Sequence, residues 1–170
     1  MKKLVIIIVL SLSNSVFAQV EVVSNFIEKW DNSKDYLVAV AQAMPEDKYD
    51  FKPTDREMSF REQLFHIQEN MNWLSITHFS GEKYVKKNEA ALELKKAQII
   101  RDLIASFDIA KIRIQKVKDI ELSQKVDFFA GPKSKLQILN LMQDHVTHHR
   151  AQILVYLNLN QIQPPMYIGW

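Results

Sequence analysis

Four long stretches of the chain carry apolar residues at helical spacing, and glycine is scarce, which predicts an all-α four-helix bundle rather than a sheet. The first stretch, about residues 20–43, stops at Met44-Pro45, because a residue preceding proline disfavours the α region. The second opens on Ser59-Phe60-Arg61-Glu62, a capping-box pattern, and runs to about Phe79, ahead of Ser80-Gly81. Its apolar face reads Leu64, Ile67, Met71, Leu74 and His78; His66, Asn70 and Trp73 form an adjacent stripe. The third, about Leu92–Val117, repeats Ile99, Leu103, Phe107, Ala110, Ile114 and Val117. A second capping box, Ser134-Lys135-Leu136-Gln137, opens the fourth, which continues through Ile138, Met142, Val146, Ile153 and Leu157 to about Asn158.

Between these stretches the pattern changes. Tyr49-Asp50-Phe51-Lys52-Pro53 predicts a connector with aromatic plugs, and Glu82–Glu89 a lysine-rich, solvated one. Residues 118–133 alternate around Val126 and Phe128 and end at Gly131-Pro132, predicting a long crossover connection with at most a short strand pair. The tail after Gln163 is not helical at Pro164-Pro165, and its aromatic residues are expected to fold back on the bundle.

The N-terminus stands apart from this pattern. Lys2 and Lys3 precede an apolar run from Leu4 to Leu12, and Val16-Phe17-Ala18 follows, which predicts a signal peptide over residues 1–18 and a single domain over 19–170. A periplasmic or secreted protein is expected, with no stable membrane insertion after processing; an uncleaved anchor is the alternative. Removing residues 1–18 takes away two lysines and no acid, leaving 20 basic against 20 acidic side chains. That neutral balance argues against nucleic acid as a partner, since phosphate binding needs a concentrated basic face. With no cysteine, thiolate nucleophiles, disulfides and cysteine metal ligands are excluded.

Histidine and carboxylate remain, and the chemistry concentrates in the fourth helix, at Asp144-His145-Val146-Thr147-His148-His149-Arg150-Ala151-Gln152. His145 and His149 stand four residues apart, about 40° around a helix, so both imidazoles can reach one divalent metal. His148 lies on the other side of His145, near Asp144, and the pair Asp144/His148 has the same spacing. His66, amid Leu64, Phe65 and Ile67, needs either a local partner or a metal, and supplies a third candidate ligand. Glu62, Glu69, Asn70, Asp144 and Gln152 are the polar groups available to fix an imidazole tautomer.

The segment from His145 to Gln152, with Met58-Ser59-Phe60-Arg61-Glu62-Gln63-Leu64-Phe65-His66, resembles the motifs of the DinB/YfiT-like superfamily. Trp30, Met44-Pro45-Glu46, Phe51-Lys52-Pro53 and Pro164-Pro165 match in order and separation, so the likeness spans essentially the whole mature chain. It implies a four-helix bundle with a long crossover, a divalent metal held by His66, His145 and His149, and a homodimer. Arg150 falls on the motif arginine, for which a surface ion pair and a catalytic role are both open.

Three neutral imidazoles leave a metal its full charge and at least one open position, the arrangement of a catalytic site. Zinc, nickel, iron and manganese are all compatible. The same geometry supports hydrolysis or thiol transfer on a small-molecule substrate. The alternatives are a non-catalytic binding bundle, with a pocket lined by Trp73, Phe79 and Tyr156, and a structural dimer with vestigial histidines. Trp30, Trp73, Phe107 and Trp170 read first as packing residues.

Overall fold

The computed structural model describes residues 21–86 and 94–170. The segment expected to be a signal peptide, residues 1–18, lies outside the described residues. Four α-helices account for most of what is described: α1 (Val22–Ala43), α2 (Phe60–Phe79), α3 (Lys96–Ile114) and α4 (Lys135–Leu159). None is long and apolar enough to cross a membrane. Helices α1 and α2 each pack chiefly against both α3 and α4, so chain neighbours α1 and α2 sit diagonally across the bundle.

Local chemistry sets the helix limits. Helix α1 ends where Met44, ahead of Pro45, turns extended (φ −70°, ψ 125°). Both capping boxes are formed: Ser59 accepts from the Glu62 amide while the Glu62 carboxylate accepts from the Ser59 amide, and Ser134 and Gln137 do the same for α4. Helix α4 closes with Gln161 in the left-handed region (φ 59°). There the Ile162 amide donates to the Leu157 carbonyl and the Gln161 amide to that of Asn158, both at 2.9 Å, which is a Schellman motif.

Helix α3 begins later than the periodicity predicts. Leu94 keeps the apolar phase, yet Lys95 is extended (ψ 153°) and the first helical residue is Lys96. The Leu94 carbonyl accepts from the Arg61 guanidinium of α2 instead of from a following amide, so a tertiary contact overrides the pattern. At the other end α3 stops at Ile114, and residues 115–117 form a turn.

One apolar core runs through the bundle, with Trp30, Leu37, Phe60, Leu64, Phe107 and Leu157 among its fully buried members. Trp30 packs against Phe107 with the rings tilted by 48° and their centroids 4.7 Å apart, and donates its indole N–H to the Phe107 carbonyl at 3.2 Å, so its one polar atom is satisfied inside. The connector after α1 is plugged by Tyr49, whose hydroxyl donates to the Ala41 carbonyl at 2.7 Å. The Arg61 amide reaches the Tyr49 carbonyl and the Phe60 amide that of Phe51, pinning the start of α2 and thereby the histidine that follows.

The segment before α4 contains a 3-10 helix (Asp119–Ser123) and two short antiparallel strands, β1 (Lys125–Val126) and β2 (Lys133–Ser134), paired Lys125 to Ser134 and Val126 to Lys133. The tail returns to α1. Tyr167 meets Tyr36 edge-on at 5.7 Å, and Lys29 donates to the Gly169 carbonyl at 2.6 Å. Trp170 is nevertheless 75% exposed with Lys29 over its ring, a surface contact rather than a core one.

Candidate metal centre

Helices α2 and α4 run antiparallel: Met58 pairs with Tyr156, Gln63 with His149 and Gln152, and His66 with His145. This register brings together the three histidines the spacing singled out. His66 Nε2 lies 3.1 Å from His145 Nε2, and one ring nitrogen from each of His66, His145 and His149 falls within 4.8 Å of the others. Nitrogens sharing one tetrahedral zinc sit roughly 3.3 Å apart, so the donor set fits one divalent cation. Ring centroids are separated by 4.8, 4.6 and 4.4 Å for the three pairs, and no ring is stacked flat against another.

A directional hydrogen-bond chain backs His149. Its Nδ1 lies 2.6 Å from Gln63 Oε1, which has only acceptor character, so the proton resides on Nδ1 and the Nε2 lone pair is free for the site. Gln63 Nε2 donates to Gln152 Oε1 at 2.6 Å and to the Tyr156 hydroxyl at 3.3 Å, and that hydroxyl donates to the Met58 carbonyl at 2.9 Å. Gln152 Nε2 in turn lies 3.0 Å from His148 Nε2, which accepts. Gln63 was not among the groups expected to fix a tautomer; its only sequence signal is its place three residues before His66, on the same side of α2. His145 lacks such support, and its Nδ1 is buried without a hydrogen-bond partner among the described residues.

The electrostatics keep all three rings neutral. Burial, and then the neighbouring charges of His149, His66 and His148, push His145 down to about 3. Burial and the charges of His66 and His148 bring His149 to about 4. His66 is lowered by burial as well, against an opposing pull from Glu69. Neutral imidazole is the form that binds a cation.

The other predicted residues divide. Gln152 belongs to the hydrogen-bond chain, and His148 is exposed, its ring edge-on to His149 at 4.8 Å. Asp144 is exposed on α4, so the alternative Asp144/His148 pair faces solvent. Asn70 is half-buried one turn beyond His66. Glu62 is used by its capping box, while Glu69 accepts from the Tyr84 hydroxyl at 3.2 Å and lies 3.5 Å from Lys86; neither carboxylate bonds an imidazole.

Two expectations need correction. Arg150 is 6% exposed, with its guanidinium 4.7 Å over the Tyr36 ring and its Nη1 buried without a partner among the described residues, so it is not a surface ion pair. Trp73, Phe79 and Tyr156 do not line one pocket. Phe79 is in the core, Tyr156 is tied to Met58 at the start of α2, and Trp73 lies two turns beyond His66 at the other end of the cluster. A cavity of about 510 Å³ does lie between α2 and α3, walled by Phe65, Asn72 and Ser106, and none of the three histidines lines it.

A family model described as "DinB family" matches residues 13–168. Among solved structures, a DinB-like protein from Bacillus subtilis superposes with a TM-score of 0.70 at 15% identity, covering 85% of this chain and 97% of its own. A DinB-like protein from Bacillus cereus gives a TM-score of 0.72, also at 15% identity, over 85% and 96% of the two chains. No curated protein matches the chain.

Proposed function

The chain belongs to the DinB family, and from this premise we propose that it is a metal-dependent enzyme in which His66, His145 and His149 jointly hold one divalent cation. The observation that carries this reading is the convergence of three neutral imidazoles, ligand atoms within 4.8 Å, with the proton of one of them tied back to Gln63. Zinc, nickel, iron and manganese are the candidate ions. When bound, such an ion supplies Lewis-acid charge that lowers the pKa of water or of a thiol, which supports hydrolysis or thiol transfer.

The protein's own groups do the rest. Three uncharged donors leave a cation's charge intact for an anionic or polarisable small-molecule substrate. Gln63 holds the His149 tautomer, and Gln152 and Tyr156 hold Gln63. His66 and His145 are half-buried, so both rings keep partial exposure to solvent. The basic and apolar N-terminal stretch supports a periplasmic or secreted location, which fractionation of the expressing cell would test.

Elemental analysis of protein purified without chelator is the direct test. About one metal ion per chain is expected, lost on His149→Ala. A metal-free protein that takes up no ion, with stability unchanged by added zinc, would overturn the proposal.

A further inference from the structure

Helices α2 and α3 run parallel: Arg61 reaches Leu94 ahead of α3, Asn72 Nδ2 donates to Ser106 Oγ at 3.0 Å, and Arg113 Nη1 donates to Ser75 Oγ at 3.3 Å. Between them lies the cavity of about 510 Å³ that none of the three histidines lines. A volume of that order is what a small-molecule site needs.

The polar groups of this cavity change sign along the helices. Glu69 and Asp102 each stand one turn before the Asn72–Ser106 pair on their own helix, so both line the cavity at one level. Glu69 accepts from the Tyr84 hydroxyl at 3.2 Å and has Lys86, its side chain 72% exposed, at 3.5 Å. Asp102 is bonded only by the uncharged Gln98 amide, at 2.7 and 2.8 Å, with no cation paired to it among the described residues. At the other end stands Arg113. One of its five N–H donors makes the long bond to Ser75, and its counter-ion Glu82 lies at 3.9 Å with a side chain 70% exposed. A guanidinium held this loosely keeps donors for a carboxylate, which it grips best in a two-pronged pair.

Midway, Ser106 is 4% exposed. Its hydroxyl accepts from Asn72, which leaves its own proton and the Asn72 carbonyl oxygen without partners among the described residues. A buried donor left unpaired costs stability until something accepts from it. A donor beside an acceptor matches a peptide amide, and Phe65, Ile76 and Ile109 supply apolar wall around these polar points. Ser75, which marks the level of the Arg113 guanidinium, lies six residues beyond Glu69, roughly 9 Å along the axis. Three amino acids in extended form span roughly 10 Å.

We infer that this cavity binds a short zwitterionic peptide of about three residues, its ammonium group between Glu69 and Asp102, its carboxylate on Arg113 and a central amide at Asn72 and Ser106. The site is separate from the histidines and needs no metal there. A simple anion meets two carboxylates, and an amine lacking a carboxylate leaves Arg113 unpaired.

Calorimetric titration of the chelator-treated protein with trialanine tests this free of any bound metal, so its failure leaves the metal reading standing. Saturable binding is expected, and N-acetyl-trialanine, trialanine amide and ω-aminooctanoate should each bind at least about tenfold more weakly. The last keeps the charge separation and lacks the amides. In Arg113→Gln the acid and its amide should bind alike, and in Asp102→Asn the preference for a free over an acetylated ammonium should shrink. The comparison of the four compounds on the parent chain stands even where a variant unfolds. A derivative that binds as tightly as trialanine would remove the contact it lacks, and with it the inference. No saturation by about 10 mM trialanine, or discrimination that survives both substitutions, would overturn it too.

Discussion

Gln63 Oε1 and His149 Nδ1 meet at 2.6 Å across the α2–α4 interface, joining residues 86 positions apart in the chain. The contact decides which nitrogen of His149 is available, because an amide oxygen can only accept. A ligand histidine whose second nitrogen is held this way is oriented and made more basic.

Gln63→Leu keeps the approximate volume and removes the acceptor. Zinc affinity should fall by about 10- to 100-fold. Nitrogen-detected NMR of the metal-free variant should show His149 as a tautomer mixture, where the parent shows Nδ1–H alone. A purely packing role for Gln63 would leave the tautomer unchanged. His148→Ala, which removes only the exposed end of the chain, should retain metal.

The reach of this contact explains why Gln63 was not legible in the sequence. Capping boxes such as Ser59 with Glu62 and Ser134 with Gln137 are local, so their partners are three residues away and the helix starts follow from them. The His145/His149 pair is local as well, and His66 declares itself as a polar residue beside apolar neighbours. An amide on a helix carries no such mark; its role depends on the antiparallel register of α2 against α4. Two other misreadings have the same origin. The start of α3 is shifted by Arg61 reaching Leu94, and the burial of Arg150 depends on Tyr36 of α1 packing over it. In each case the deciding partner lies on another helix.

The histidine cluster should make stability depend on pH in a defined sense. In the metal-free folded protein His145 and His149 titrate at about 3 and about 4, whereas in the unfolded chain they titrate near about 6.5. Between those values the unfolded state binds more protons, so stability rises with pH and is lost as pH falls from about 6.5 toward about 3. Thermal unfolding of metal-free protein should show a falling Tm across this window. The double variant His145→Leu, His149→Leu should flatten that part of the profile, and an unchanged slope would refute the account.

Gln161 offers a check on the end of α4. It occupies the left-handed position of a Schellman motif, where a side chain costs roughly 1 kcal/mol that glycine does not. Gln161→Gly should therefore stabilise the protein by about 0.5–1 kcal/mol in urea unfolding, with metal content unaltered. A loss of stability would mean that the Gln161 side chain makes a contribution exceeding its backbone strain.

Arg150 separates the helix bundle's packing from its chemistry. The residue neighbours His149 in sequence, yet a step of about 100° around α4 turns it away from the cluster and under Tyr36, with Tyr167 close by. Burial disfavours its charge and lowers its pKa, and no carboxylate among the described residues pairs with it. A buried cation held mainly by a ring face is replaceable by an apolar side chain of similar length, whereas truncation leaves a void. Arg150→Met should accordingly be neutral or stabilising by about 1 kcal/mol, and Arg150→Ala destabilising by about 3 kcal/mol, in denaturant unfolding. Both should still bind one metal ion, since neither touches the ligand set. If Arg150→Met instead abolished metal uptake while remaining folded, the guanidinium would have to act on the histidines, and the division of α4 into a packing face and a ligand face would fail.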